Sequence, residues 1–262
     1  MLAAERRLRI EEVLSSNRTV SALELSKSLG VATATIRRDL AVLEQEGLLV
    51  RSHGGAVSRK SSTAFQRSYD VLLRTNEQEK ESIARGAQEL ILDGDTIFLE
   101  GSTTVFMLAR LLRPFSRLSV VTNSPAIVCE LQANPRISVM CTGGRLQNEI
   151  FYLHGLWTRR AVSEIRLDKA ILGVSAIDPA YGVSAAGHAE AEIKQLLVKA
   201  AKQRIALADH TKFGKQSFAF VGPVTDFDIV VTDALAGQEY IQQLRDAGVK
   251  VLIAGGNGRN SG

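Results

Sequence analysis

The sequence predicts an α/β protein in two parts: a small unit of three helices and a β-hairpin, then a larger, Rossmann-like and mainly parallel α/β domain. Three observations carry this. Apolar residues in the first 57 positions recur at helical spacing, then give way to a short strand and a Gly-Gly turn. Residues 58–75 are polar, with Ser58, Ser61, Ser62 and Thr63 clustered around Arg59 and Lys60, a composition that reads as a linker. From residue 76 to 254, short apolar runs alternate with helix-length segments, the signature of βαβ units around a parallel sheet.

In the first part, Ile10, Val13 and Leu14 give helix one a buried face. Helix two opens on Ser21-Ala22-Leu23-Glu24, a capping box in which Ser21 and Glu24 satisfy each other's orphan amides, and stops at Gly30. Helix three runs from Thr33 to about Gln45, before Gly47. Leu48–Arg51 has strand character, and Gly54-Gly55 supplies the hairpin tip. In the second part a helix opens near Asn76, read as its cap, with Glu79 at the third position. Thr96–Leu99, Ser119–Val121, Ile137–Cys141, Ala170–Leu172, Arg204–Leu207, Ile229–Val231 and Val249–Ile253 read as strands, with Thr103–Leu112 and Ala189–Lys202 among the helices between them. Residues 255–262 are glycine-rich and read as a frayed tail.

Hydrophobic content of 45% is enough for a real core, and no apolar run approaches the ~18 residues of a membrane span, so a soluble, cytoplasmic protein is expected. The N-terminus is charged and lacks an apolar signal segment. Cys129 and Cys141 sit in apolar stretches and read as buried free thiols. The four histidines form no metal spacing with each other or with the cysteines, so neither a metal nor a cofactor is expected. Residues 1–60 carry ten basic and seven acidic side chains against 22 and 21 in the remainder, so most of the positive excess lies where a polyanion would bind.

On helix three, Ile36, Leu40 and Leu43 must face the core, which turns Arg37 and Arg38 outward with Ala34 and Ala41 between them. Such a face seats closely in a major groove, where Arg pairs bidentately with guanine and an Ala methyl meets a thymine methyl. Thr33 and Thr35, at the helix start, are placed for phosphate contact. Taken alone, the two arginines also fit a plain solvated face.

The wider string Thr35-Ile36-Arg37-Arg38-Asp39-Leu40, then Leu43, Gly47, Arg51 and His53-Gly54-Gly55-Ala56, closely resembles the winged helix-turn-helix of the DeoR family of transcriptional regulators. One departure is Ala32, where the family usually carries a capping Ser; Thr33 is left to take over that role. The resemblance implies that Arg51, on the wing, lies near the DNA backbone or minor groove. His53 fits a local turn bond as well as it fits a DNA contact.

In the second part, Asp93 to Thr104 reads as a turn, a strand and a Gly/Ser/Thr loop opening a helix, where amides, dipole and hydroxyls converge on an anion. A plain helix cap would look similar, and no Walker lysine follows. This part too is similar to the DeoR effector domain, through Glu79-Lys80, Ile83-Ala84, Thr122-Asn123-Ser124, Gly143-Gly144, Asp168-Lys169-Ala170 and Ala208-Asp209-His210-Thr211-Lys212-Phe213-Gly214. The family writes the first loop D-S-G-T-T; here it is Glu100-Gly101-Ser102-Thr103-Thr104. The resemblance implies a ribose-5-phosphate isomerase-like fold that binds a phosphorylated sugar or related phosphoester. The expected effector residues are Glu100, Ser102, Thr103, Thr104, Asn123, Ser124, Gly143, Gly144 and Lys212, with Asp209 orienting Lys212. Glu190, Glu192 and Lys194 read as a solvated helix face, although the family has a similar E-x-x-x-K element.

The shared fold raises a rival, an isomerase with a regulatory DNA domain. Aldose–ketose isomerisation needs a carboxylate base, and where the isomerase carries D-G-A-D this chain has Leu172-Gly173-Val174-Ser175. No enzyme activity is therefore expected. The sequence reading is a repressor of a carbohydrate operon, bound to double-stranded operator DNA as a homodimer or homotetramer, because one winged helix reads too few base pairs for specificity.

Overall fold

Three hydrophobic clusters organise the chain, one small cluster in the unit Met1–Ala64 and two large ones in the unit Phe65–Gly262. The computed structural model describes residues 3–16, 19–45, 49–52, 54–58, 69–147 and 152–255. His53, Gly47, residues 59–68 of the predicted linker and all of the tail but Gly255 lie outside these ranges.

The first unit contains α1 (Ala3–Ser16), β1 (Thr19–Ser21), α2 (Ala22–Leu29), α3 (Thr33–Gln45), β2 (Leu49–Ser52) and β3 (Gly55–Ser58). Ile10, Leu14, Val20, Leu25, Ile36, Leu40, Leu43, Leu49 and Ala56 close one core between the helices and the antiparallel sheet β1-β3-β2. The capping box at Ser21 and Glu24 forms as expected, and Gly30 ends α2 at φ 66°, the left-handed conformation that lets the chain turn into α3. Thr33 does not cap α3. It is the first residue of that helix, and its hydroxyl donates to Ser26 Oγ at 3.2 Å, tying α3 to α2. Strand β1 was not expected: three residues are too few to show alternation, and β1 exists by pairing with β3.

The second unit opens with α4 (Tyr69–Arg74), so the stretch predicted as linker ends in a helical turn, with Leu73 packed against the core. Then come α5 (Glu77–Gln88), β4 (Thr96–Leu99), α6 (Thr103–Leu111), β5 (Leu118–Thr122), α7 (Pro125–Leu131), β6 (Ile137–Cys141), β7 (Arg145–Gln147), β8 (Tyr152–His154), α8 (Leu156–Ser163) and β9 (Leu167–Gly173). The remainder comprises β10 (Ala176–Asp178), β11 (Gly182–Ala185), α9 (His188–Ala200), β12 (Ala201–Leu207), β13 (Ala219–Gly222), β14 (Ile229–Asp233), α10 (Gln238–Asp246) and β15 (Lys250–Ala254).

Seven strands form one parallel sheet in the order β15-β14-β12-β9-β4-β5-β6. Successive side chains enter opposite layers: Phe98, Ala170, Leu172, Ala206 and Val230 pack under α8, α9 and α10. Ile97, Leu99, Ile171, Ile205, Leu207 and Val231 pack under α5, α6 and α7. Burial on both faces is why these strands read as continuous apolar runs. A small antiparallel sheet, β10-β11-β13, flanks the main one and was not foreseen. Both cysteines are exposed rather than buried. Cys141 ends the edge strand β6, and Cys129 lies on the outward side of α7, whose buried side carries Ile127 and Leu131.

Gly55 has no room for a side chain, since a Cβ there would lie 1.9 Å from the Val20 carbonyl oxygen. We expect Gly55→Ala to cost about 1–3 kcal/mol or more. Hydrogen exchange would show lost protection in α2 and α3 with the seven-stranded sheet unchanged; equal loss in both units would contradict this.

Candidate functional site

In the first unit, Ile36, Leu40 and Leu43 point inward and Arg37 and Arg38 are exposed, so the helical phase leaves both guanidinium groups on the outer face of α3 with Ala34. Asp39 shares the inner side. Its carboxylate accepts from Arg6 Nε at 2.5 Å and from a second Arg6 nitrogen at 3.2 Å, a bidentate pair that fastens α3 to α1. Thr33 and Thr35 are half-buried at the helix start. Arg51 is exposed on β2, and its N–H donates to Glu44 Oε1 at 2.9 Å.

The second site follows from strand order. The chain runs β4, β5, β6 in one direction, then returns to the other side of β4 with β9 and continues through β12, β14 and β15. The loops leaving β4 and β9 therefore diverge, and in parallel sheets this switch point is where a ligand crevice opens. Glu100-Gly101-Ser102 follows β4, and Val174-Ser175 follows β9.

Ser102 is the N-cap of α6, with Oγ accepting from the Val105 N–H at 3.3 Å, and Thr103 and Thr104 form the first turn. The N–H groups of that turn have no acceptor within the helix and carry the positive end of its dipole. Gly101 donates to Asn123 Oδ1 at 2.9 Å, and Asn123 Nδ2 donates to the Leu153 carbonyl at 3.1 Å, so Asn123 braces the loop between β4 and β8. Ser124 Oγ accepts from the Ile127 N–H and caps α7. Gly143 and Gly144 turn the chain out of β6 at φ 68° and 128°; a Cβ at Gly144 would meet Thr158 Oγ1 at 2.3 Å. Lys212 lies in the turn that follows β12, a strand separated from β4 by β9, with Asp209 Oδ2 3.9 Å away. The structure thus gathers the residues from Glu100 to Ser124 at one sheet end, with Gly143-Gly144 and Lys212 on flanking strand ends.

At the switch point lies a buried charge cluster. Glu100 is 2% exposed and 3.6 Å from Lys194, whose side chain is equally buried. Lys194 donates to the Gly173 carbonyl at 2.6 Å and to Glu190 Oε1, and the Gly173 N–H donates to Glu100 Oε2 at 3.3 Å. Burial pushes the Glu100 carboxyl up to about 7 against the pull of Lys194. Burial also works to lower the Lys194 ammonium, but Glu100 and Glu190 more than offset it and hold it above its ordinary range. The solvated-face reading of this helix fails at Lys194, which falls between Ala191 and Leu197 on the core-facing row. Lys80 is similar: it precedes Ile83, Ala84 and Ala87 on the inner row of α5, and burial pushes it down to about 8. A charged residue on an apolar helical row was the available signal in both cases.

A separate cavity of about 340 Å³ lies among α5, α6 and α7, lined by Arg85, Arg110, Arg113, Met107, Glu81 and Glu130. It contains none of the expected ligand residues.

We expect Lys194→Met to destabilise the second unit by about 3–5 kcal/mol, because it leaves Glu100 buried without its partner. Glu100 already sits near 7 in wild type and loses a lowering influence in the variant, so the loss should be smallest below pH 7 and grow as pH rises above it. Adding Glu100→Gln should recover part of it in denaturant unfolding; a double variant no more stable than Lys194→Met would contradict the coupling.

Two family models match the chain: a DeoR-like helix-turn-helix domain over residues 6–62 and a DeoR C terminal sensor domain over residues 75–234. The HTH-type transcriptional regulator GolR of Listeria innocua serovar 6a is 36% identical over 254 residues, 97% of this chain and 100% of that protein. The HTH-type transcriptional repressor GlcR of Bacillus subtilis is 33% identical, covering 97% of each chain. The glycerol-3-phosphate regulon repressor of Escherichia coli K12 is 31% identical, covering 97% and 100%. Ribose 5-phosphate isomerase A of Methanocaldococcus jannaschii aligns at 17% identity with a TM-score of 0.40, over 54% of this chain and 56% of that one. The chain belongs to the DeoR family of transcriptional regulators.

Proposed function

We propose that this chain represses a carbohydrate-metabolism operon and is controlled by a phosphorylated sugar or related phosphoester bound in the crevice at the end of β4. The observation that carries this is the placement of the Gly101–Thr104 loop, which presents helix-terminal amides and hydroxyls at the switch point of a doubly covered parallel sheet. One relative is named for the glycerol-3-phosphate regulon, which favours the phosphoester class.

Arg37 and Arg38 read base edges, while Thr33, Thr35, Arg51 and His53 contact the backbone of double-stranded operator DNA. Ser102, Thr103 and Thr104 hold the phosphate, with Lys212 as the cation. Asn123, Ser124, Gly143 and Gly144 shape the walls. Glu100, sealed beneath the loop, positions it through Gly173 and Lys194. The active species is a cytoplasmic homodimer or homotetramer. The protein is not an isomerase, because Val174 and Ser175 offer no carboxylate after β9 and Glu100 is engaged and out of reach of solvent.

Operator binding measured across a titration of sugar phosphates tests this. Wild type should release or alter its hold on DNA with at least one phosphoester, and Arg37→Ala should lose about 1–3 kcal/mol of operator affinity. Thr103→Ala and Lys212→Ala should keep operator affinity but need at least tenfold more phosphoester, since each removes a charge-assisted bond. A Thr103→Ala or Lys212→Ala protein that responds at the wild-type concentration removes that residue from the site. Turnover of ribose 5-phosphate above the uncatalysed rate would reinstate the enzyme.

A further inference from the structure

Asn76 stands between α4 and α5 at φ 52°, a left-handed conformation that costs a side-chain-bearing residue energy. It occupies the cap position of α5, yet its side chain bonds no amide of that helix, contrary to the sequence expectation. Instead, Asn76 Nδ2 donates to Asp209 Oδ1 at 3.2 Å and lies 3.5 Å from Thr211 Oγ1. Asp209 is buried, and the same oxygen accepts the Thr211 N–H at 3.0 Å and the Thr211 hydroxyl. The turn so held, His210–Lys212, ends in the cation proposed for the phosphate.

Lys80 makes the second connection. It is 5% exposed, and its ammonium donates to the Leu72 carbonyl within α4. Asp209 attracts that ammonium and Lys212 repels it. Lys80 thus bonds α4 directly, while Asn76, two residues beyond the end of α4, bonds the turn that bears on Lys80. Helix α4 is also the first described element after the DNA-reading unit.

We infer that Asn76 and Lys80 are the coupling residues of this regulator: Asn76 ties the α4–α5 junction to the Asp209–Lys212 turn and Lys80 bonds α4 under the charges of that turn, so that an anion drawn to Lys212 changes the hold on α4 and its junction with α5. The inference rests on the phosphoester-sensing reading above. An anion at Lys212 neutralises the charge that repels Lys80 and competes with Asp209, 3.9 Å away, for the Lys212 ammonium. Both effects redistribute the bonds that Asp209 and Lys80 make to the α4–α5 junction. Neither residue need touch the ligand, since coupling requires only that the junction differ between the two states.

Two variants test this in the full-length protein. Asn76→Gly keeps the left-handed turn without steric cost and removes the donor to Asp209. Lys80→Met keeps the side-chain length and removes the donor to Leu72. The probe is whichever of ribose 5-phosphate, glycerol 3-phosphate and glucose 6-phosphate binds wild type most tightly. Three quantities are read: operator affinity alone, probe affinity alone by calorimetry, and operator affinity at saturating probe. Each variant should keep both separate affinities within about threefold of wild type. The ratio of operator affinities without and with probe should fall at least tenfold. If wild type responds and both variants respond as strongly, the coupling role is wrong while the sensing reading stands. A variant that loses probe affinity itself makes its residue a ligand contact and also overturns the inference. A wild type unmoved by all three probes overturns the sensing reading and the inference with it.

Discussion

A parallel sheet covered by helices on both faces has no free face for a ligand; only the ends of its strands remain. In this chain the reversal of strand order between β4 and β9 decides which end matters. Two loops leave neighbouring strands in opposite directions, and the gap between them must be floored by something. The floor is Glu100, Gly173 and Lys194. Because Gly173 lacks a Cβ, Ser102 closes down over it; a Cβ there would lie 2.1 Å from Ser102 Oγ. The buried ammonium then neutralises the carboxylate while bonding the Gly173 carbonyl, so α9, β4 and β9 are cross-linked at one point. The Gly101–Thr104 loop rests on groups that cannot move without exposing or isolating a buried charge.

The DNA-reading unit solves a different problem. Its core is small, and a three-helix unit of this size has little apolar area with which to fix helix angles. The Arg6–Asp39 pair and the Thr33–Ser26 bond add direction to that packing, setting α3 against α1 and α2 so that its outer face stays open. Arg37 and Arg38 owe their exposure to the burial of Ile36, Asp39 and Leu40 beside them. The outward placement of these two guanidinium groups is thus a consequence of where the inner row lies.

Much of this was legible in the sequence. Helical phase alone turned Arg37 and Arg38 outward, the Ser21–Glu24 capping box formed as read, and doubly buried strands announced themselves as apolar runs. Two of the failures share a cause: side chains whose partners lie far along the chain. Asn76 reads as a helix cap, yet its partner is Asp209, 133 residues away. Lys194 reads as surface until Glu100 is brought beneath it by the strand crossover. Strand β1 and the β10-β11-β13 sheet are too short to alternate visibly and depend on tertiary pairing. The cysteines misled because an apolar neighbourhood in sequence does not fix which side of an edge strand or helix a side chain takes.

In the proposed reading the amides opening α6 seat a phosphoester at the switch point. Amide hydrogen exchange resolved to single residues addresses it most directly, comparing the protein alone, with a panel of sugar phosphates and with the unphosphorylated parent sugars. The account predicts that at least one phosphoester slows exchange at Thr103 and Thr104 and that no parent sugar does. Slowing confined to another part of the molecule, or equal effects from a parent sugar, would contradict it.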